Sequence, residues 1–381
     1  MNTETQSFIQ KYDLLGCVQC GRCTGGCPEA MRTGLNPRRV VYDALEGNVP
    51  DELAKLPEIW DCTTCNTCAA RCPKGLKPVD VLIGLRNILV ESGVLQPTVR
   101  DALESAFREG NPWDKPRATR GDWMKGLDVS IAEPGEKVEN LIFVCCTICY
   151  DPKVQVIAKN LVKILNKAGV DYGFIGDDET CCASEVYNLG EVGEEGLFEM
   201  MVEDNTELLN SYEATRIVAI SPHCYSALKN QYPNLKADVI HYTHLVKELL
   251  EEGKLELTGE LPKKIVFHDP CYLGKQNNVY DEPRYILSRI PGAEIVEFER
   301  SKERSLCCEG GGGKMWTESD SKEERLAETR VKDARALGAE ILAVACPFCV
   351  LTLDDALKAK GFEEEMRVAE ILEILGDLIK E

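Results

Sequence analysis

Ile341-Leu342-Ala343-Val344-Ala345-Cys346-Pro347-Phe348-Cys349 is a short apolar run that ends on a cysteine pair. Arg216–Ile220, 125 positions earlier, runs in the same way into Ser221-Pro222-His223-Cys224. The interval recurs: Cys146 to Cys271 is 125 positions, and Cys181-Cys182 to Cys307-Cys308 is 126. Self-similarity at a fixed period marks one structural unit used twice. Each copy has the same grammar. In the first, Leu141–Val144 precedes a helical stretch Val154–Ala168, a second strand Tyr172–Ile175, a helix Glu194–Leu209 and a third strand Arg216–Ile220. In the second, Ile265–Phe267, Ala293–Phe298 and Ile341–Ala345 are the strands. Short apolar runs alternating with longer helical stretches predict parallel sheets covered by helices, hence two duplicated α/β (Rossmann-like) units. Ligands in such sheets gather at the carboxyl ends of strands, where nearly every cysteine of this half falls.

Outward from the repeat, the chain divides into residues 1–95, with eight cysteines in two runs, a cysteine-free linker at 96–138, and the two units at 139–260 and 261–381. The linker text is polar and proline-spaced, consistent with short helices draped over neighbours. A length of 381 residues suits two to three domains at roughly 150 residues each. The fold class expected is therefore α+β and multidomain, with a helical N-terminal part.

That N-terminal part reads Cys17-x2-Cys20-x2-Cys23-x3-Cys27-Pro28, then Cys62-x2-Cys65-x2-Cys68-x3-Cys72-Pro73. Three thiolates at steps of three wrap one cubane 4Fe–4S cluster, and the fourth, sent away by its proline, serves the other cluster. The spacing thus predicts one cubane on Cys17, Cys20, Cys23 and Cys72, and a second on Cys62, Cys65, Cys68 and Cys27. Helices are expected over Arg38–Leu45 and Val79–Glu91. Basic Arg38, Arg39 and Arg71 either offset cluster charge or simply solvate the surface.

Nineteen cysteines, an odd number, in a large chain with no export signal at its polar N-terminus argue against a disulfide framework. Forty-four Lys+Arg against 64 Asp+Glu give a charge of −20, which repels phosphate backbones and anionic lipid, so no nucleic-acid partner is expected. The apolar runs Leu141–Tyr150 and Ile341–Leu353 fall short of the roughly 20 residues of a spanning helix, so no direct membrane insertion is expected. The location expected is cytoplasmic, at most peripheral to a membrane through a partner.

In the second α/β unit Cys271, Cys307, Cys308, Cys346 and Cys349 offer five soft donors, one more than a cubane or zinc site accepts. The first unit has Cys181, Cys182 and Cys224, but Ser221 stands where Cys346 stands in its partner. Its lone cysteine is one of Cys145, Cys146 and Cys149; Cys146 is selected from Phe143-Val144-Cys145-Cys146-Thr147, leaving the other two as core thiols. Four donors there suit a cubane, an altered noncubane cluster, or zinc. Gly310–Gly313 lack Cβ atoms and so let backbone approach a cluster or substrate closely. His223 and His268 each adjoin a candidate ligand. Either can donate a proton to a departing thiolate, against the commoner role of a satisfied structural histidine, and His268 is carried forward as catalytic. His241 and His244 read as structural.

Asn36-Pro37-Arg38-Arg39 and Asp61-Cys62-Thr63-Thr64-Cys65 resemble the helical ferredoxin domain of the heterodisulfide reductase C subunit. His268-Asp269-Pro270-Cys271-Tyr272 and Cys307-Cys308-Glu309-Gly310-Gly311-Gly312-Gly313-Lys314-Met315-Trp316 resemble the CCG domain of the same family, with Glu309 where glycine is usual. The chain as a whole resembles a fusion of the C and B subunits, the plan of the D-type subunit. That resemblance implies that Cys271, Cys307, Cys308, Cys346 and Cys349 hold a noncubane 4Fe–4S cluster at which a disulfide is broken. It also implies electrons arriving through the two cubanes from a flavoprotein or cytochrome b partner, and a substrate such as the mixed disulfide of coenzymes M and B or a related thiol. A different reading comes from the resemblance to iron–sulfur subunits of lactate, glycolate and glycerol-3-phosphate oxidising complexes, in which the chain would be a non-catalytic conduit. No GxGxxG follows a strand and opens a helix, so dinucleotide chemistry belongs to another polypeptide.

Overall fold

The computed structural model describes residues 3–47, 50–319 and 321–379. The N-terminal unit is helical, with α1 (Thr3–Lys11), α2 (Pro37–Leu45) and α3 (Pro78–Glu91). Proline opens α2 and α3, where its missing N–H has no intrahelical partner to lose. The Asn36 side chain caps α2 by accepting from Arg39 N, and α3 buries Val81, Leu82, Leu85 and Leu89.

The segment expected as a linker with short helices draped over its neighbours is helical in part. It carries α4 (Pro97–Glu109), ended by Gly110 at φ 67°, and a 3-10 stretch, Arg117–Met124. Cys181 N donates to Gly110 O at 2.8 Å, and buried Arg120 pairs with buried Glu179, so the segment is fastened to the first α/β unit.

That unit runs β1 (Lys137–Phe143), α5 (Gln155–Ala168), β2 (Tyr172–Phe174), α6 (Leu197–Ser211), β3 (Glu213–Ala219), α7 (Pro222–Gln231), β4 (Asp238–His241) and α8 (Tyr242–Glu251). The second repeats it: β5 (Lys264–Phe267), α9 (Asp281–Ser288), β6 (Glu294–Val296), α10 (Leu326–Ala336), β7 (Ile341–Val344), α11 (Pro347–Lys360), β8 (Arg367–Glu370) and α12 (Ile371–Leu378). Both sheets are wholly parallel, in the orders β2-β1-β3-β4 and β6-β5-β7-β8. Each therefore has a fourth, edge strand beyond the three expected.

In each sheet the winding reverses between the first and third strands, which opens a crevice at their carboxyl ends. β1 leads into Cys145-Cys146 and β3 into Cys224; β5 leads into Cys271 and β7 into Cys346. The two units share one hydrophobic core, and the helical unit's own core extends to Cys146, Cys181 and Leu189 of the first. No helix among the described residues is long and apolar enough to cross a membrane.

Candidate iron–sulfur centres

The two N-terminal runs fold alike. In the first, Gln19 and Gly21 flank Cys20 with φ of 54° and 76°; in the second, Thr64 and Asn66 flank Cys65 with φ of 48° and 63°. Left-handed residues on both sides of the middle cysteine curl each run into a cup. β-branched Thr64 is strained in that region, a cost borne where geometry is functional. Cys17, Cys20, Cys23 and Cys72 line one cavity, and Cys27, Cys62, Cys65 and Cys68 line another. The fourth cysteine of each run thus lies with the other run's three.

In the second α/β unit Cys308 and Cys349 bring their Sγ atoms to 3.1 Å, and the free thiols of Cys346 and Cys349, and of Cys271 and Cys307, are in hydrogen-bonding contact. All five thiols are buried. The first unit gathers five as well. Cys146 lies 3.7 Å from Cys181, Cys182 bonds to Cys181 and Cys224, and Cys145 bonds to Cys146 and Cys224. Cys145, expected as a core thiol, lies in the core and also beside these sulfurs, on a backbone turned to φ 59° and ψ 129°. Cys149 remains apart, beside Arg120 and Trp123. Ser221 is the cap of α7, its Oγ accepting from His223 N at 3.3 Å, at the position Cys346 takes before α11.

The donor chemistry fits iron–sulfur clusters. Burial raises Cys27 and Cys68, and Cys307 together with burial raises Cys65, so these three form stable thiolates when metal charge offsets the burial; in the CCG units neighbouring thiols instead hold Cys145, Cys182 and Cys308 low, and Cys349 and His223 hold Cys346 low. Backbone N–H groups already point at sulfur: Thr64 N at 3.4 Å from Cys62 Sγ and Glu309 N at 3.3 Å from Cys307 Sγ.

The second N-terminal cavity and the second α/β site share a wall. The free thiols of Cys65 and Cys307 are in hydrogen-bonding contact, and Cys307 Sγ lies 3.4 Å from Thr63 Oγ1. Lys275 Nζ bridges Thr67 Oγ1 at 2.9 Å and Ser305 O at 2.6 Å. Arg86, fully buried on α3, donates to the carbonyls of Ile59 and Cys62, of Asn188 in the first unit, and of Gly312 in the second. One guanidinium thereby ties three units together.

The glycine run belongs to this wall. A Cβ on Gly312, which sits at φ 71°, would stand 2.6 Å from Thr63 C; one on Gly311 would meet Tyr272 and His223 at 3.0 and 3.1 Å. The close approach is thus to the Cys62–Thr63 backbone and to two site side chains. Glu309 holds the left-handed conformation (φ 65°) that glycine takes most easily, as Ala183 does (φ 58°) after the other vicinal pair. The Glu309 carboxylate pairs with Arg32 of the helical unit at 2.8 Å.

The two histidines differ. His268 accepts at Nδ1 from Arg330 Nε at 3.1 Å and lies with Cys308 and Cys349; burial and the guanidinium depress its pKa well below the usual range. His223 belongs to the first unit but reaches the second site. Its Nδ1 is 2.7 Å from Glu185 Oε1, its ring stacks on Tyr272 at 4.0 Å, and it bonds to Cys346. Burial opposes its charge, yet Cys346 and Glu185 lift its pKa to about 10. Both have local cysteine neighbours in the sequence; only folding shows that His223 serves the other repeat.

Fold and donors define a multicentre iron–sulfur protein: a two-cluster ferredoxin-like unit joined to a duplicated cysteine-rich unit. The 4Fe–4S dicluster domain family matches residues 16–77, and the cysteine-rich CCG domain family matches 141–229 and 265–354. The D-type polypeptide of dihydromethanophenazine:CoB–CoM heterodisulfide reductase from Methanosarcina acetivorans is 31% identical, over 99% of this chain and 97% of its own length. The chain belongs to this heterodisulfide reductase D-type family of iron–sulfur oxidoreductases. EtfAB:quinone oxidoreductase of Syntrophomonas wolfei is 31% identical and the probable iron–sulfur-binding oxidoreductase FadF of Bacillus subtilis 33%, over 98% and 97% of the chain. The chain spans only 59% and 60% of those two relatives. A hypothetical protein from Helicobacter pylori shares the fold, with a TM-score of 0.56 at 11% identity, covering 100% of this chain and 73% of that one.

Proposed function

We propose that the chain is the iron–sulfur subunit of a larger redox complex, and that it reduces a disulfide, or in reverse joins two thiols, at the second CCG site. The contact of Cys65 with Cys307 carries this reading, because it sets a ferredoxin-type centre against the five-cysteine site. When bound, clusters at these cysteines take up single electrons and offer iron to soft thiolate sulfur. Cys17, Cys20, Cys23 and Cys72 would hold one cubane, and Cys62, Cys65, Cys68 and Cys27 the other. Cys271, Cys307, Cys308, Cys346 and Cys349 would hold the noncubane cluster. Cys145, Cys146, Cys181, Cys182 and Cys224 would hold a further cluster or zinc.

Overall, one disulfide takes two electrons and two protons and yields two thiols. His223, held by Glu185 and pressed on Tyr272, is placed to give a proton to a departing thiolate, whereas His268, expected in that role, is kept uncharged by burial and the Arg330 guanidinium. The Leu306 and Leu326 side chains pack with Cys271 and Cys307 and exclude water from that edge. Electrons would come from a flavoprotein or cytochrome b partner, the chain itself staying at the cytoplasmic side.

A conduit role without substrate chemistry draws support from the quinone oxidoreductase named among the relatives. Paramagnetic spectra of the oxidised protein titrated with coenzyme M, coenzyme B and simple dithiols decide between the two. A thiol-induced signal is expected; clusters that all reduce while no thiol changes the spectrum would leave only the conduit.

A further inference from the structure

The cavity lined by Cys17, Cys20, Cys23 and Cys72 lies at the surface: Cys20 is exposed, whereas every CCG cysteine is buried. Val18, 62% exposed, lines it, and Leu15, two residues before Cys17, is 77% exposed. Around them the charge is the reverse of the rest of the chain. Residues 14–39 and 71–77 contain seven Lys+Arg and one carboxylate, Glu29, while the whole chain carries −20. Glu29 is buried on Arg32. Arg22, Arg38, Arg71, Lys74 and Lys77 are all exposed, and none is in an ion pair among the described residues. Arg22, Arg38 and Lys74 also line the cavity itself.

An apolar centre with a charged rim is the anatomy of a transient protein interface, and unpaired like charges around it steer an oppositely charged partner. We propose that this face is the docking surface of an electron-transfer protein whose own redox group lies in an acidic surface, and that the Cys17–Cys20–Cys23–Cys72 centre is the port through which electrons cross. The proposal rests on the multicentre reading above and specifies its partner by charge. A bilayer of anionic lipid would also favour cations and apolar side chains, but it would not account for their convergence on the one exposed cysteine of the cluster-binding runs.

The test uses the purified anaerobic holoprotein with flavodoxin, a small acidic flavoprotein, as probe. Cluster bleaching by reduced flavodoxin is followed in a stopped-flow instrument, and binding of oxidised flavodoxin by calorimetry, both across a series of NaCl concentrations. Rate and affinity are expected to fall steeply with salt, and about tenfold in R22E/K74E/K77E at low salt. Bleaching by methyl viologen radical and the iron content report whether that variant still folds with its clusters. Rates flat in salt, or an equal loss in K254E/K263E on the CCG units, would overturn the proposal. So would a chain that ignores flavodoxin but sediments with phosphatidylglycerol vesicles. Failure here is separable from failure of the thiol chemistry, which is read from thiol-induced spectra alone.

Discussion

His223 and Glu185, both from the first CCG unit, form a 2.7 Å pair whose imidazole lies against Cys346 of the second. The repeats are therefore not two independent sites side by side, since an imidazole of one unit lies against a cysteine of the other. His223→Gln is expected to slow disulfide reduction about 100- to 10,000-fold, as loss of a general acid does, with the clusters still reducible by dithionite. Glu185→Gln should cost about 10- to 100-fold, because Glu185 orients the ring and helps keep it charged but does not itself carry the transferred proton. Steady-state rates beside cluster absorbance check both, and an unchanged rate in His223→Gln would assign proton delivery elsewhere.

Cys145 and Cys149 separate the cluster of sulfurs in the first CCG unit from its core. Cys145→Ser should remove iron and acid-labile sulfide, or zinc, equivalent to one centre, whereas Cys149→Ser should leave metal content unchanged. Metal analysis of the two purified variants decides, and equal loss in both would restore Cys145 to an ordinary core thiol.

Arg86 satisfies four carbonyls from three units with one buried charge. Arg86→Leu strands those acceptors and should cost on the order of 3 kcal/mol or more, read from the denaturation midpoint. Removing a cation beside Cys62 should also lower the reduction potential of the centre on Cys27, Cys62, Cys65 and Cys68. A redox titration monitored by paramagnetic resonance checks that direction.

Glu370 supplies the pH dependence. It is buried, accepts from Tyr242 OH of the other repeat and from Leu372 N, and burial raises its pKa to about 8. Because the folded value lies above the unfolded one, the associated stability is complete below about pH 4.5 and is lost as pH climbs toward 8. Glu370→Gln removes the charge and keeps one acceptor, its Oε1 toward Leu372 N, while its Nε2 donates to the Tyr242 oxygen. It should flatten the decline and raise the melting temperature at pH 8; a variant as pH-sensitive as the parent would discount this carboxyl.

The duplication, the two cubane runs and the exchange of their fourth cysteines are legible because spacing alone specifies them. The edge strands β4 and β8 are not. Asp238-Val239-Ile240-His241 is half-exposed and Arg367-Val368-Ala369-Glu370 has only two central apolar residues, so neither shows a buried run. Residues 96–138 read as short helices draped over neighbours, and the helix Pro97–Glu109 is opened by Pro97 and closed by Gly110. Ser221 makes the first CCG site look one sulfur short. The compensating Cys145 depends on a left-handed backbone that local text does not reveal. The reach of His223 across the repeat is tertiary, and no periodicity reports it.

Gly312 lies against the backbone of Thr63, where even a methyl group would collide. The approach of the ferredoxin-like half to the CCG half is therefore set at this point by a side chain that is missing, and on the proposed function so is the electron path between them. An alanine there would act like a shim, lengthening every hop across that gap while leaving each iron-binding thiol in place.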